Sequence, residues 1–160
     1  VIAQDVQRVR ELISSRRRVG IRSIVAIAGP PASGKSTLAE TVVQSLNAEQ
    51  SSAIPSATLV PMDGYHLDNC ILETRGLLAR KGAPETFDSV GFCNAIRGLQ
   101  SARHESFHPR FDRQMDLAIA NAIVVHPETP TVVVEGNYLL INSDPWRSLA
   151  DVYTATIFVS

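Results

Sequence analysis

An excess of charge of either sign is missing from this chain. Fifteen Lys and Arg against sixteen Asp and Glu leave a formal net charge of −1, so no global attraction draws it to nucleic acid or to an anionic membrane surface. Long apolar runs are missing as well. Nothing approaches the roughly 20 residues that span a bilayer, and the short stretch Ile24–Ala28 has no signal-peptide architecture around it. Cysteine is scarce: Cys70 and Cys93 lack C-x-x-C spacing, which excludes a disulfide framework and points to a reducing, cytoplasmic setting. His104, His108 and His126 show no metal-ligand spacing with cysteine or with each other. Internal repeats and low-complexity linkers are absent too.

What remains is the composition of a globular protein, 44% hydrophobic and 19% charged. A length of 160 residues reads as one domain, 1–160, long enough to bury a core. The triplet Arg16-Arg17-Arg18 reads as a solvated helix end. The chain starts at Val1 without Met and stops at Ser160 just after a strand-like run, so both ends read as cut.

Hydrophobic periodicity gives an alternating order of elements. Val6, Val9, Leu12 and Ile13 recur at helical spacing and predict an amphipathic helix over about 3–17. Residues 21–28 read as a buried strand, 36–46 as a helix, and 57–60 as a second strand ending at Pro61. A helix over 72–80 is weakened by Gly76, and Asp88 is placed to cap one over 89–100. The stretch "FHPRFDRQMD" reads as irregular, and 117–120 and 123–125 read as apolar fragments around an irregular middle. The runs 131–134 and 154–159 are β-branched, as central parallel strands covered on both faces would be. The implied fold is α/β, a three-layer doubly wound and mostly parallel sheet, with ligands at the carboxyl ends of the strands.

Between the first strand and the second helix stands "GPPASGKST". Its Gly29-to-Ser36 core fits the phosphate-loop pattern G-x-x-x-x-G-K-[ST], in the strand-then-helix context that the motif requires. Gly29 permits the sharp exit from the strand, and Gly34 lets the backbone approach a phosphate without a Cβ in the way. Pro30 and Pro31 have no N–H to offer. The anion cradle therefore falls to Ser33, Gly34, Lys35, Ser36 and Thr37, at a helix start whose dipole also favours negative charge. Lys35 is expected on the β- and γ-phosphates of a nucleoside triphosphate, and the Ser36 hydroxyl on Mg²⁺.

Two carboxylates end predicted strands. Asp63, in "LVPMDGYHLDN", is either a base for an acceptor hydroxyl or half of an ordinary Asp-Gly turn. Glu135, at the end of "TVVVEG", has the form of a metal-side carboxylate. His66 lies near Asp63 and reads as a substrate contact or a structural histidine. Arg110 and Arg113 suit an anionic substrate group or a transferred phosphoryl, or surface salt bridges.

In order along the chain, "GPPASGKST", "VPMDGYHLDN", "RKGAPETFD", "HPRFDRQMDLAI" and "VVVEGNYLL" with a later Pro-Trp resemble the P-loop kinases of the phosphoribulokinase, uridine kinase and bacterial pantothenate kinase family. The likeness runs from about Ile21 onward and is strongest to the nucleoside/nucleotide kinase-like branch labelled as a fructose transport system kinase. The resemblance implies an ATP- and Mg²⁺-dependent kinase acting on a small hydroxyl acceptor. It implies Asp63 as catalytic base together with catalytic Lys35, Glu135 near the metal with Ser36, and Tyr65, His66, Arg110 and Asp112 in segments that shape the acceptor pocket. It also implies pairing into a homodimer. Members continue past the strand ending near Ser160 into a helical lid carrying arginines, and that lid is missing from these 160 residues.

Two rival readings stand beside a kinase. A switch or motor NTPase is disfavoured, because neither N-K-x-D nor L-S-G-G-Q occurs. A nucleotide-binding module without kinase activity stays behind the kinase reading, and gains credibility from the missing lid. Sugars, nucleosides and pantothenate all present hydroxyls, and no single side chain in the sequence decides among them.

Overall fold

The computed structural model describes residues 2–48 and 51–160, apart from the side chain of Ile2. Its centre is a pair of wholly buried strands, β1 (Ser23–Ala28) and β5 (Thr131–Gly136). Their apolar, β-branched runs have no polar face, so both faces must be covered. β2 (Ala57–Pro61) joins beside β5 and β6 (Ala155–Phe158) beside β1. The order is β2-β5-β1-β6, every pair parallel.

Alternate residues of β1 serve opposite faces, as a pleated strand requires. Val25 and Ile27 pack under α1 (Ile2–Arg16) and α2 (Lys35–Asn47), against Val9, Ile13, Leu38 and Val42. Ile24 and Ala26 face a second cluster with Phe92 and Ile96 of α4 (Ser89–Gly98) and Trp146 and Leu149 of a 3₁₀ turn, Trp146–Leu149. Helical layers on both faces of a parallel sheet make the three-layer doubly wound fold that the alternation of elements predicts. From β1 the chain passes over β5 to reach β2, and from β5 it passes over β1 to reach β6. Connections leaving in opposite directions open a crevice at the carboxyl ends of β1 and β5.

The opposite end of the sheet is sealed by Arg22. Its guanidinium donates to the carbonyls of Thr129, Leu99, His126 and Pro127 at 2.7–2.9 Å. One side chain thereby satisfies four loop acceptors that the sheet cannot reach.

Three expectations are corrected. β6, read as a central strand, lies at one edge of the described sheet, with Thr156 and Phe158 exposed. The helix anticipated over 72–80 is instead α3 (Asn69–Thr74) and a 3₁₀ turn, Leu78–Arg80. Gly76, at φ 66°, turns the chain between them. The segment read as irregular is a β-hairpin: β3 (Ser106–Asp112) pairs antiparallel with β4 (Leu117–Val125). Pro109 and a register shift between His108 and Arg110 broke its alternation in sequence. A proline tolerated at a bulge is what the missing N–H allows.

Candidate active site

The phosphate loop leaves β1 at Gly29. A Cβ there would strike the Val159 carbonyl oxygen and stand 2.8 Å from Ser33 Oγ, so glycine is needed for close approach. Ala32 (φ 61°) and Gly34 (φ 87°) both take left-handed backbone, which is unstrained only for the glycine. Gly34 caps α2 with no side chain across the helix start. The first-turn amides of Lys35, Ser36 and Thr37 therefore have no carbonyl of their own. Ser33 differs from expectation: its N–H donates to the Pro30 carbonyl at 3.3 Å, and its enclosed hydroxyl has no partner. An orphaned buried hydroxyl beside open amides is a donor set that fits a phosphate anion.

Lys35 folds back under the loop. Only 8% exposed, its Nζ lies 3.4 Å from the Pro30 carbonyl and 3.5 Å from Glu135 Oε1. Register fixes Glu135 between Ile27 and Pro61 near the strand ends, 6% exposed. Burial pushes its carboxyl up from the usual range; Lys35 opposes this, Asp63 reinforces it, and a hydrogen bond with Ser36 opposes it again. Ser36 and Glu135 are thus adjacent hard oxygen donors, suited to Mg²⁺. Among the described residues no three His, Cys, Asp or Glu converge to hold a metal by themselves. The donor set fits a metal that takes its remaining ligands from phosphate and water.

Asp63 sits in the 3₁₀ turn Met62–Tyr65 that follows β2. Arg113 Nη2 approaches its Oδ2 at 3.5 Å. Gly136 tightens this corner, since a Cβ there would lie 2.6 Å from Met62 Cβ. A cavity of about 760 Å³ is lined by Gly34, Lys35, Ser36 and Thr37 of the loop together with Asp63, His66, Phe87 and Phe111. A second cavity of about 350 Å³ gathers Ser36, Glu40, Asp63, Arg110 and Glu135. His66 has Nδ1 2.8 Å from the Asp63 carbonyl oxygen, and its ring lies between Phe87 and Phe111 at 4.0 and 4.7 Å.

Two residues anticipated in the acceptor pocket face elsewhere. Tyr65 turns its hydroxyl to His108, and Asp112 Oδ1 accepts the Gln114 and Met115 amides in the hairpin turn. Sequence reasoning missed Phe87, Phe111 and Asn137 as lining groups. It also missed Lys81, which donates to Asn69 Oδ1 at 2.6 Å and Asp116 Oδ1 at 2.8 Å, pinning the hairpin turn to the segment before α4. No spacing rule joins positions 35 residues apart.

No family model matches the chain. A "putative fructose transport system kinase" from Silicibacter sp. TM1040 superposes with a TM-score of 0.85 at 42% identity, covering 96% of this chain and 73% of that one. "Uncharacterized protein YggC" of Escherichia coli K12 is 36% identical over 138 residues, 86% of this chain and 56% of the relative. "Putative uridine kinase C227.14" of Schizosaccharomyces pombe is 32% identical over 148 residues, 89% and 60% respectively. The chain thus spans less than two thirds of the length of these two curated relatives. Among the described residues no helix is long and apolar enough to cross a membrane.

Proposed function

The chain belongs to the P-loop kinase family of phosphoribulokinase, uridine kinase and bacterial pantothenate kinase, and from that premise we propose that it moves the γ-phosphoryl group of ATP to a hydroxyl of a small metabolite. One observation carries the reading: the phosphate loop and Asp63 line the same cavity. A loop alone describes any NTPase. A carboxylate in the same cavity is what an alcohol acceptor needs.

In this reading the amides of Gly34, Lys35, Ser36 and Thr37 hold the triphosphate, and Lys35 neutralises charge as the phosphoryl group moves. Asp63 accepts the acceptor's hydroxyl proton as that oxygen bonds to the γ-phosphorus and the bond to the β-phosphate oxygen breaks, releasing ADP. Ser36 and Glu135 would hold Mg²⁺, which would supply charge neutralisation for the triphosphate. His66, Phe87 and Phe111 form the acceptor's apolar wall, while Arg110 and Arg113 flank Asp63. Tyr65 and Asp112 act from behind, by shaping the turns. The acceptor is a sugar, a nucleoside or a pantothenate-like alcohol.

A coupled ADP-release screen over sugars, nucleosides and vitamin precursors tests this. ADP release that depends strictly on one acceptor, with a phosphorylated product, supports it. Equal release without any acceptor indicates a switch-type NTPase, and tight ATP binding with no product across the panel indicates a binding module.

A further inference from the structure

Tyr65 ends the turn that carries Asp63, and His108 stands on β3 just before its bulge. Tyr65 Oη is 2.8 Å from His108 Nδ1, and His108 Nε2 is 3.1 Å from Ser106 Oγ. The imidazole is 2% exposed, and the Tyr65 ring meets Phe92 edge-on at 5.1 Å. The Tyr65 hydroxyl has one hydrogen-bond partner among the described residues, His108 Nδ1. Ser106 is only half-buried and can turn its own hydroxyl proton outward. The pattern that leaves no buried proton stranded has Tyr65 donating to Nδ1 and Nε2–H donating to Ser106 Oγ.

That pattern needs a neutral imidazole in one tautomer. Burial holds His108 below the usual histidine range. Burial, reinforced by Asp88, pushes the Tyr65 hydroxyl up to about 12. Uncharged Tyr65 and Ser106 are the groups that meet the imidazole, and no charged side chain contributes to its shift. Beside this pair the backbones lock together: a Cβ on Gly64 would collide with the Pro109 carbonyl and stand 3.2 Å from the Arg110 nitrogen. The turn bearing Asp63 and the hairpin bearing Arg110, Phe111 and Arg113 are therefore joined at two adjacent points.

We propose that His108 is a positioning residue: as the neutral Nε2–H imidazole it holds the Tyr65 hydroxyl and so fixes the Asp63 turn against the hairpin that completes the acceptor half of the site. This rests on the reading of Asp63 as the acceptor's base. A protonated His108 donates from both nitrogens, and the Tyr65 proton loses its acceptor. The acceptor side then loosens in acid, while the phosphate loop, built on β1 and α2, does not.

His108→Gln decides the matter, because a glutamine amide can accept from Tyr65 and donate to Ser106 without titrating. The wild type is expected to lose acceptor-dependent kcat/KM as pH falls through the lowered titration of His108, beneath the ordinary histidine range, with ATP affinity constant, and H108Q to retain activity without that fall. At pH 8, Y65F and H108A should lower acceptor-dependent kcat/KM about 5- to 20-fold with the Kd for ATP within twofold. Nitrogen-15 NMR of the ring at pH 8 should show Nδ1 bare and Nε2 protonated, which needs neither turnover nor a stable H108A. A charged or Nδ1–H ring, an unchanged acid fall in H108Q, or full acceptor turnover by Y65F and H108A would each overturn the proposal. Full turnover by D63N would instead overturn the reading of Asp63, and would leave the tautomer result standing.

Discussion

Lys35 and Glu135 face each other at 3.5 Å, one opening α2 and the other near the end of β5, and both are almost out of solvent. The pair joins the anion cradle to the metal-side carboxylate. Each holds the other's charge in a place where neither would be stable alone.

Replacing Lys35 with Met is expected to lower nucleotide affinity about 10- to 100-fold, the worth of one charge-assisted contact. Isothermal titration with ATP measures it. The same substitution strands Glu135, so its carboxyl should rise further and titrate closer to neutrality.

Glu135 also sets a pH dependence of stability. Its folded carboxyl is raised above the unfolded value, so the folded state keeps a proton that the unfolded state has lost. The stability it contributes is present below the ordinary value of 4.5 and is lost as pH rises through the raised one. The stability of Glu135→Gln relative to wild type should therefore climb as pH rises from 4.5 to 7, from a level lowered by the loss of Lys35's partner, read from urea midpoints across that window. A difference that stays flat would remove Glu135 as the titrating group.

Gly64→Ala should destabilise by about 1–3 kcal/mol, because the added methyl meets backbone at Pro109 that cannot swing aside. The urea midpoint falls, and acceptor-dependent turnover falls with it, since the collision lies between the Asp63 turn and the hairpin. Nucleotide affinity should hold.

Much of this was legible in sequence, and the reasons are local. Lys35, Ser36 and Gly34 announce themselves because the phosphate loop is contiguous and its neighbours on both sides are regular elements. Glu135 is visible as a lone acid after four β-branched or apolar residues. The hairpin was not visible. Pro109 and the bulge break its alternation, and its stability comes from pairing across the chain, Phe107 with Val124 and Phe111 with Ala118. Tyr65 and Asp112 were placed in the acceptor pocket by segment, but orientation depends on partners at His108 and on the turn's own amides. The edge position of β6 was hidden for a related reason. A strand that is apolar in sequence does not say how many neighbours it has.

Arg22→Met is expected to cost about 2–4 kcal/mol, because four carbonyls lose their donor together. Hydrogen exchange should show the loops at Leu99 and at 126–129 opening first, with the body of α2 still protected.

The account turns on Asp63 and the phosphate loop lining one cavity. The most direct measurement compares wild type and Asp63→Asn for transfer of the ATP γ-phosphoryl group to the best acceptor of the panel, with ATP affinity measured alongside. The account predicts a fall in transfer of about 10²- to 10⁴-fold, the usual contribution of a positioned base, with ATP affinity within twofold. Unchanged transfer by the Asn variant would contradict it.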